Sequence, residues 1–117
     1  MEEDLSNLES ELRQFCGTEN YYRHWLGFNY TDGVKYLAER AGAYWLLDVV
    51  GSYQPRLRNK EFQIWRLDVQ NNKGIVTMRE DDGLPNIIRQ EIPYTDFPLQ
   101  EFELYFVDNV LLLKGEY

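Results

Sequence analysis

The sequence predicts an α+β domain, with N-terminal helices packed on one face of a four- to five-stranded antiparallel sheet built by the C-terminal half. Three observations point there. Apolar residues recur at helical spacing in the first 50 or so positions, aromatic and β-branched residues take over after Pro55, and turn signals separate the later runs into hairpins. A chain of 117 residues suits one domain spanning 1–117, long enough to bury a core without metals or disulfides.

The first element follows from Leu5, Leu8, Leu12 and Phe15, which line one helical face behind a capping-box pattern at Ser6 and Glu9, with Gly17 as the stop. This predicts a helix over 4–16. The aromatic-rich "TENYYRHWLGF" that follows has no clean period and reads as a short strand or an irregular packed segment. Thr31 or Asp32 then offers an N-cap to a helix whose apolar stripe is Val34, Leu37, Ala38 and Ala41. Gly42 interrupts it and "AYWLLDVV" resumes, giving one kinked helix or two short ones, closed by Gly51 and Pro55. Because Trp45, Leu46, Val49 and Val50 lie on one side and Tyr44 and Leu47 on another, this stretch should be buried nearly all round.

Past Pro55, "FQIWRLDV" and "GIVTMRE" form a hairpin about "QNNKG", where Asn and Gly tolerate a left-handed backbone. "IIRQEI" supplies a third strand, "PYTDFPLQ" a loop, and "FELYFV" with "VLLLKGEY" a second hairpin about Asp108 and Asn109.

Charge is unevenly laid out. Residues 1–20 carry six acids against one base, and Glu80 to the end nine against two, so both ends are acidic. Between them "PRLRNK" forms a basic island of Arg56, Arg58 and Lys60. With a net charge of −8, direct nucleic-acid binding is disfavoured, whereas docking on a basic or nucleic-acid-binding protein would be steered. No apolar run reaches the roughly 20 residues of a membrane helix, and the acidic start lacks the features of a signal peptide, so the expected location is the cytoplasm. One cysteine, Cys16, and one histidine, His24, are too few for an ordinary zinc site, and no cofactor motif is present.

The segments "GTENYYRHW", "YTDGVKYLAERAGAYWLLDVVGSYQ" and "FELYFVDNVLLLKGEY" together resemble a family of short, functionally uncharacterised bacterial proteins, common on plasmids, phages and other mobile elements and found in cyanobacteria and Bacteroidetes. The resemblance covers the chain from Phe15 onward and carries no catalytic residues with it. It implies a small accessory or inhibitor factor acting on a host or defence protein.

The residues suggest several chemistries, each with a plainer explanation. Cys16 and His24 could form a thiolate pair, but a lone cysteine at a helix end is more often packing. Ser6, Ser10 and Ser52 lack a nucleophile-elbow context. The run Glu80, Asp81, Asp82 lacks calcium-loop spacing and reads as a solvated turn. Asp32 is explained by capping and Glu39 by an exposed face, but Asp48, inside "WLLDVV", requires a partner, for which Arg23, Arg40 and His24 are the candidates. Thr31, Gly33 and Lys35 at a helix start could hold an anion.

The densest feature is the aromatic set of Tyr21, Tyr22, Trp25, Phe28, Tyr30, Tyr36, Tyr44 and Trp45, interleaved with Arg23, His24 and Arg40. It is either core or a surface that stacks on a planar, nucleotide-like ligand, with Tyr21, Tyr22, Arg23, His24, Trp25, Tyr30, Lys35 and Arg40 as the binding residues. No catalytic constellation accompanies His24. The leading expectation is therefore a non-enzymatic protein that binds a protein partner; the alternatives are a small-ligand binding or cleaving module and a homodimer paired through a sheet edge.

Overall fold

A computed structural model of the chain describes residues 7–17 and 19–117. The elements are α1 (Leu8–Leu12), β1 (Tyr21–Arg23), β2 (Asn29–Thr31), α2 (Asp32–Ala41), α3 (Tyr44–Tyr53), β3 (Phe62–Gln70), β4 (Lys73–Arg79), β5 (Ile88–Ile92), β6 (Glu101–Val107) and β7 (Val110–Leu113). Short 3₁₀ turns follow α3 at Gln54–Arg56 and β7 at Lys114–Glu116.

The molecule is α+β, but its sheet has seven strands rather than four or five, in the order β1-β2-β7-β6-β3-β4-β5. The two additional strands come from the N-terminal half, so the sheet is not confined to the C-terminal half and the helices do not all precede it. Neighbouring strands are antiparallel except β2 and β7, which run parallel through Asn29↔Val110 and Tyr30↔Leu111. The first helix is also shorter than the spacing predicts: it ends at Leu12, and Phe15 packs against the core from irregular chain. The expected Ser6 cap lies outside the described residues.

Local chemistry explains the remaining boundaries. Thr31 caps α2 by accepting the Val34 N–H, and Gly42 ends it in the left-handed region at φ 61°, its N–H returned to the Ala38 carbonyl. That left-handed residue decides between the two expectations for this region, giving two helices rather than one with a kink. Both hairpins turn on two consecutive residues with positive φ, Asn71 and Asn72 in one, Asp108 and Asn109 in the other. Such turns match the twist of the strands they join.

One face of the sheet is covered. Trp65, Leu67, Val76, Met78, Leu104, Phe106, Leu111 and Leu113 meet Leu8, Leu12, Val34, Leu37, Leu46, Leu47 and Val50 from the three helices in a single buried cluster. The buried Gln63 joins the strand layer to the end of α3: its amide and that of Gln54 exchange hydrogen bonds at 2.9 Å, and its Oε1 also accepts the Trp65 indole N–H at 2.8 Å. Such pairing satisfies polar groups that would otherwise be costly to bury.

The opposite face carries a charged lattice instead. Arg66, Asp68, Glu101 and Glu103 alternate outward from the apolar residues of β3 and β6, and Arg79 joins them from β4. Phe62, Tyr105 and Tyr117 form an aromatic trio at one end of this face, with ring centroids 4.9 to 5.4 Å apart. Among the described residues no helix is long and apolar enough to cross a membrane.

Candidate functional site

His24 sits where β1 turns into β2. Its backbone N–H donates to the Phe28 carbonyl at 2.7 Å and its carbonyl accepts the Gly27 N–H at 3.0 Å, so residues 24–28 close a tight loop. The ring fills that loop. It stacks on Phe28 at 4.5 Å, its Nδ1 accepts the Leu26 N–H at 3.0 Å, and its Nε2 lies 2.8 Å from Asp48 Oδ1 on α3. Since Nδ1 accepts a backbone proton, Nε2 is the protonated nitrogen and donates to Asp48. Both ring nitrogens are thereby committed, and the side chain is only 5% exposed.

The stretch expected to be buried nearly all round is not: Tyr44 and Asp48 face outward, with the Asp48 side chain 51% exposed, so burial does not demand its partner, although His24 was one of the three expected and a second partner is added that the sequence did not suggest. Trp25 Nε1–H donates to the same Oδ1 at 3.1 Å. The Trp25 ring is stacked over His24 at 5.7 Å and is 77% exposed. On α3, Tyr44 precedes Asp48 by one helical turn, and its hydroxyl lies 3.4 Å from Glu39. Burial first, then the Glu39 carboxylate, push the Tyr44 phenol up to about 12. Trp25 and Tyr44 are thus both exposed and each stands against a carboxylate, Asp48 for the indole and Glu39, which Lys35 also approaches, for the phenol.

The other residues of the aromatic set follow along β1, β2 and α2. Alternation along β1 sends Tyr21 and Arg23 to one sheet face and Tyr22 to the other. Tyr22 donates to Asp32 at 2.8 Å, stacks obliquely on Tyr30 and carries Lys35 4.4 Å above its ring. That hydrogen bond raises the Tyr22 phenol and lowers the Asp32 carboxyl. Arg40 and Tyr36 turn toward Glu11, at 3.3 and 2.8 Å. Tyr30, edge-on to His24 at 6.5 Å, joins the Tyr22 and Lys35 pair to the His24 loop, so these residues and Trp25 form one connected row, whereas Arg40 and Tyr36 belong to the α1–α2 contact.

The anion position at the start of α2 is filled by the protein's own carboxylate. Glu116 Oε1 accepts the Thr31 hydroxyl at 2.6 Å, and its Oε2 accepts the Gly33 N–H at 3.2 Å. A Cβ on Gly33 would lie 2.7 Å from Glu116 Oε1, so the close approach depends on glycine. Lys35 does not join this group; it faces Tyr22 and, at 3.9 Å, Glu39. Of the basic island, Arg58 and Lys60 line one open hollow with Leu26 and Phe106, Lys60 also pairing with Glu80 at 3.1 Å, while Arg56 stands apart over the Tyr53 ring. Within the acidic run, Asp82 pairs with Arg79 at 2.8 Å.

A family described as being of unknown function, DUF6876, matches residues 6–117. The chain belongs to that family. No curated protein and no solved structure matches it. Membership in DUF6876 assigns no residue a role, so the geometry around His24 is what bears on function. Sequence reading missed Glu116 and the Trp25–Asp48 bond. A signal for the first existed in the helix start at Thr31, whose unpaired N–H groups call for an anion, but nothing in the order of residues says that position 116 supplies it. The outer-face lattice was readable from the alternation of charged residues in "FQIWRLDVQ" and "QEFELYFV".

Proposed function

We propose that the protein is a small acidic, non-enzymatic interaction factor that docks on a basic protein surface through the Trp25 patch. In this reading it acts in the cytoplasm as an accessory or inhibitor of a host or defence protein, in a mobile-element setting. The observation that carries the docking is the state of Trp25: widely exposed, yet fixed by a hydrogen bond to a carboxylate that a buried histidine also holds. A large aromatic held in one orientation loses little entropy on binding, and tryptophan is prominent among residues that dominate interface energies. Asp48 and Glu39 would favour a cationic partner and speed its approach. The setting rests on sequence resemblance alone. A proton-transfer role for His24 gains no support, because both its nitrogens already have partners.

The test is affinity capture from the native host with the wild-type chain and Trp25→Ala in parallel. A stoichiometric partner retained by the wild type, weakened steeply by salt and lost by about 30-fold or more in Trp25→Ala, is the expected result. Retention that is indifferent to salt and to Trp25→Ala would remove this patch from consideration.

A further inference from the structure

The end of the sheet farthest from Trp25 carries a different surface. β5 is the terminal strand, and among the described residues only β4 pairs with it, leaving one line of backbone groups open. Such edges are commonly blunted by charged side chains or by proline, and Pro93 directly follows this one. Here the two charged residues are of opposite sign, Arg89 and Glu91, 56% and 73% exposed, placed symmetrically about Gln90 and paired with each other along the strand at 3.2 Å, so a second copy would extend that pair into a four-charge cluster.

That symmetry matters if a second copy approaches antiparallel about a two-fold axis through Gln90. Arg89 then faces Glu91 of the second copy and Glu91 faces its Arg89, while Ile88 and Ile92 face each other's counterparts. Moving the axis to Arg89 or to Glu91 sets like charges directly opposite, so the charges select one register. The flanks fit the same operation. Leu84 and Ile87 are exposed before the strand and Tyr94 after it, and a two-fold axis brings the leading end of one copy to the trailing end of the other. Exposed apolar side chains at both ends of an unpaired strand thereby gain cover.

We propose that the protein self-associates through β5 into a two-fold dimer whose two sheets join edge to edge. The dimer leaves both Trp25 patches at its outer ends, so it stands or falls independently of what those patches bind.

Sedimentation equilibrium over a wide concentration range tests it with four chains: wild type, Arg89→Glu, Glu91→Arg and the double swap. A wild-type monomer–dimer equilibrium is expected, weakened by about tenfold or more in each single variant, since each turns two attractive pairs into repulsive ones, and restored in the swap. Far-UV circular dichroism confirms that each variant is folded. Independently of any variant, amide exchange in 88–92 should slow as protein concentration rises. A wild type that stays monomeric at the highest accessible concentration overturns the proposal. So does a dimer that the single variants leave unchanged, or a swap that fails to restore association; an edge that accepts only a foreign strand would show the first of these results.

Discussion

At Glu103 three cations converge on one carboxylate. Arg79 and Lys114 approach within 2.8 and 3.0 Å and Arg66 within 3.3 Å, and the side chain is 13% exposed. Burial, the largest single influence, pushes its pKa up, but the hydrogen bonds and charges of Arg79 and Lys114 outweigh burial and bring it to about 2 from the usual 4.5. A folded-state pKa below the unfolded one means that the charged carboxylate stabilises the fold above pH 4.5, and that this contribution is lost as the pH falls toward 2. Its size is on the order of 3 kcal/mol before solvent screening reduces it. Thermal unfolding of the wild type should therefore show a falling Tm over that acid window, and Glu103→Gln should start lower at neutral pH and flatten the slope.

The start of α2 is a compact test of how a distant residue completes a local element. Gly33→Ala should cost about 1–3 kcal/mol in denaturant unfolding, because the new methyl group meets Leu113 and Glu116. Glu116→Gln should cost about 1 kcal/mol, by weakening the charge-assisted bonds to Thr31 and Gly33. The double variant should cost less than the sum, since both act on one contact. The same element shows what the sequence made legible. Thr31, the stripe from Val34 to Ala41 and the break at Gly42 are adjacent in the chain, and both hairpins announce themselves in paired turn residues. β1 falls in the stretch read as a short strand or an irregular segment, because three residues are too few for alternation to decide, and β2 gave no signal at all: it is a strand because β7, some 80 positions later, lies beside it. At the candidate site, His24 was among the partners the sequence offered Asp48, but the burial that argued for a partner is absent because α3 turns this carboxylate outward, and the indole that shares its oxygen gave no signal.

For the whole molecule, the two ends of the sheet have different electrostatic characters. One ends in β1 beside the exposed Trp25 and its Asp48 carboxylate, the other in a strand whose charges cancel. On a chain of net charge −8, a locally neutral edge is where two copies can meet with least repulsion, and the acidic end is where a cation approaches most readily. The Trp25 arrangement also makes the protein its own optical reporter. Of the three tryptophans, Trp65 is sealed in the core at 1% exposure and Trp45 is half-buried, so the most solvent-relaxed, long-wavelength emission should come from Trp25. With Asp48 at its indole nitrogen, the caesium-to-iodide quenching ratio of that emission should exceed the ratio for free N-acetyltryptophanamide, and Trp25→Phe should remove most of the excess.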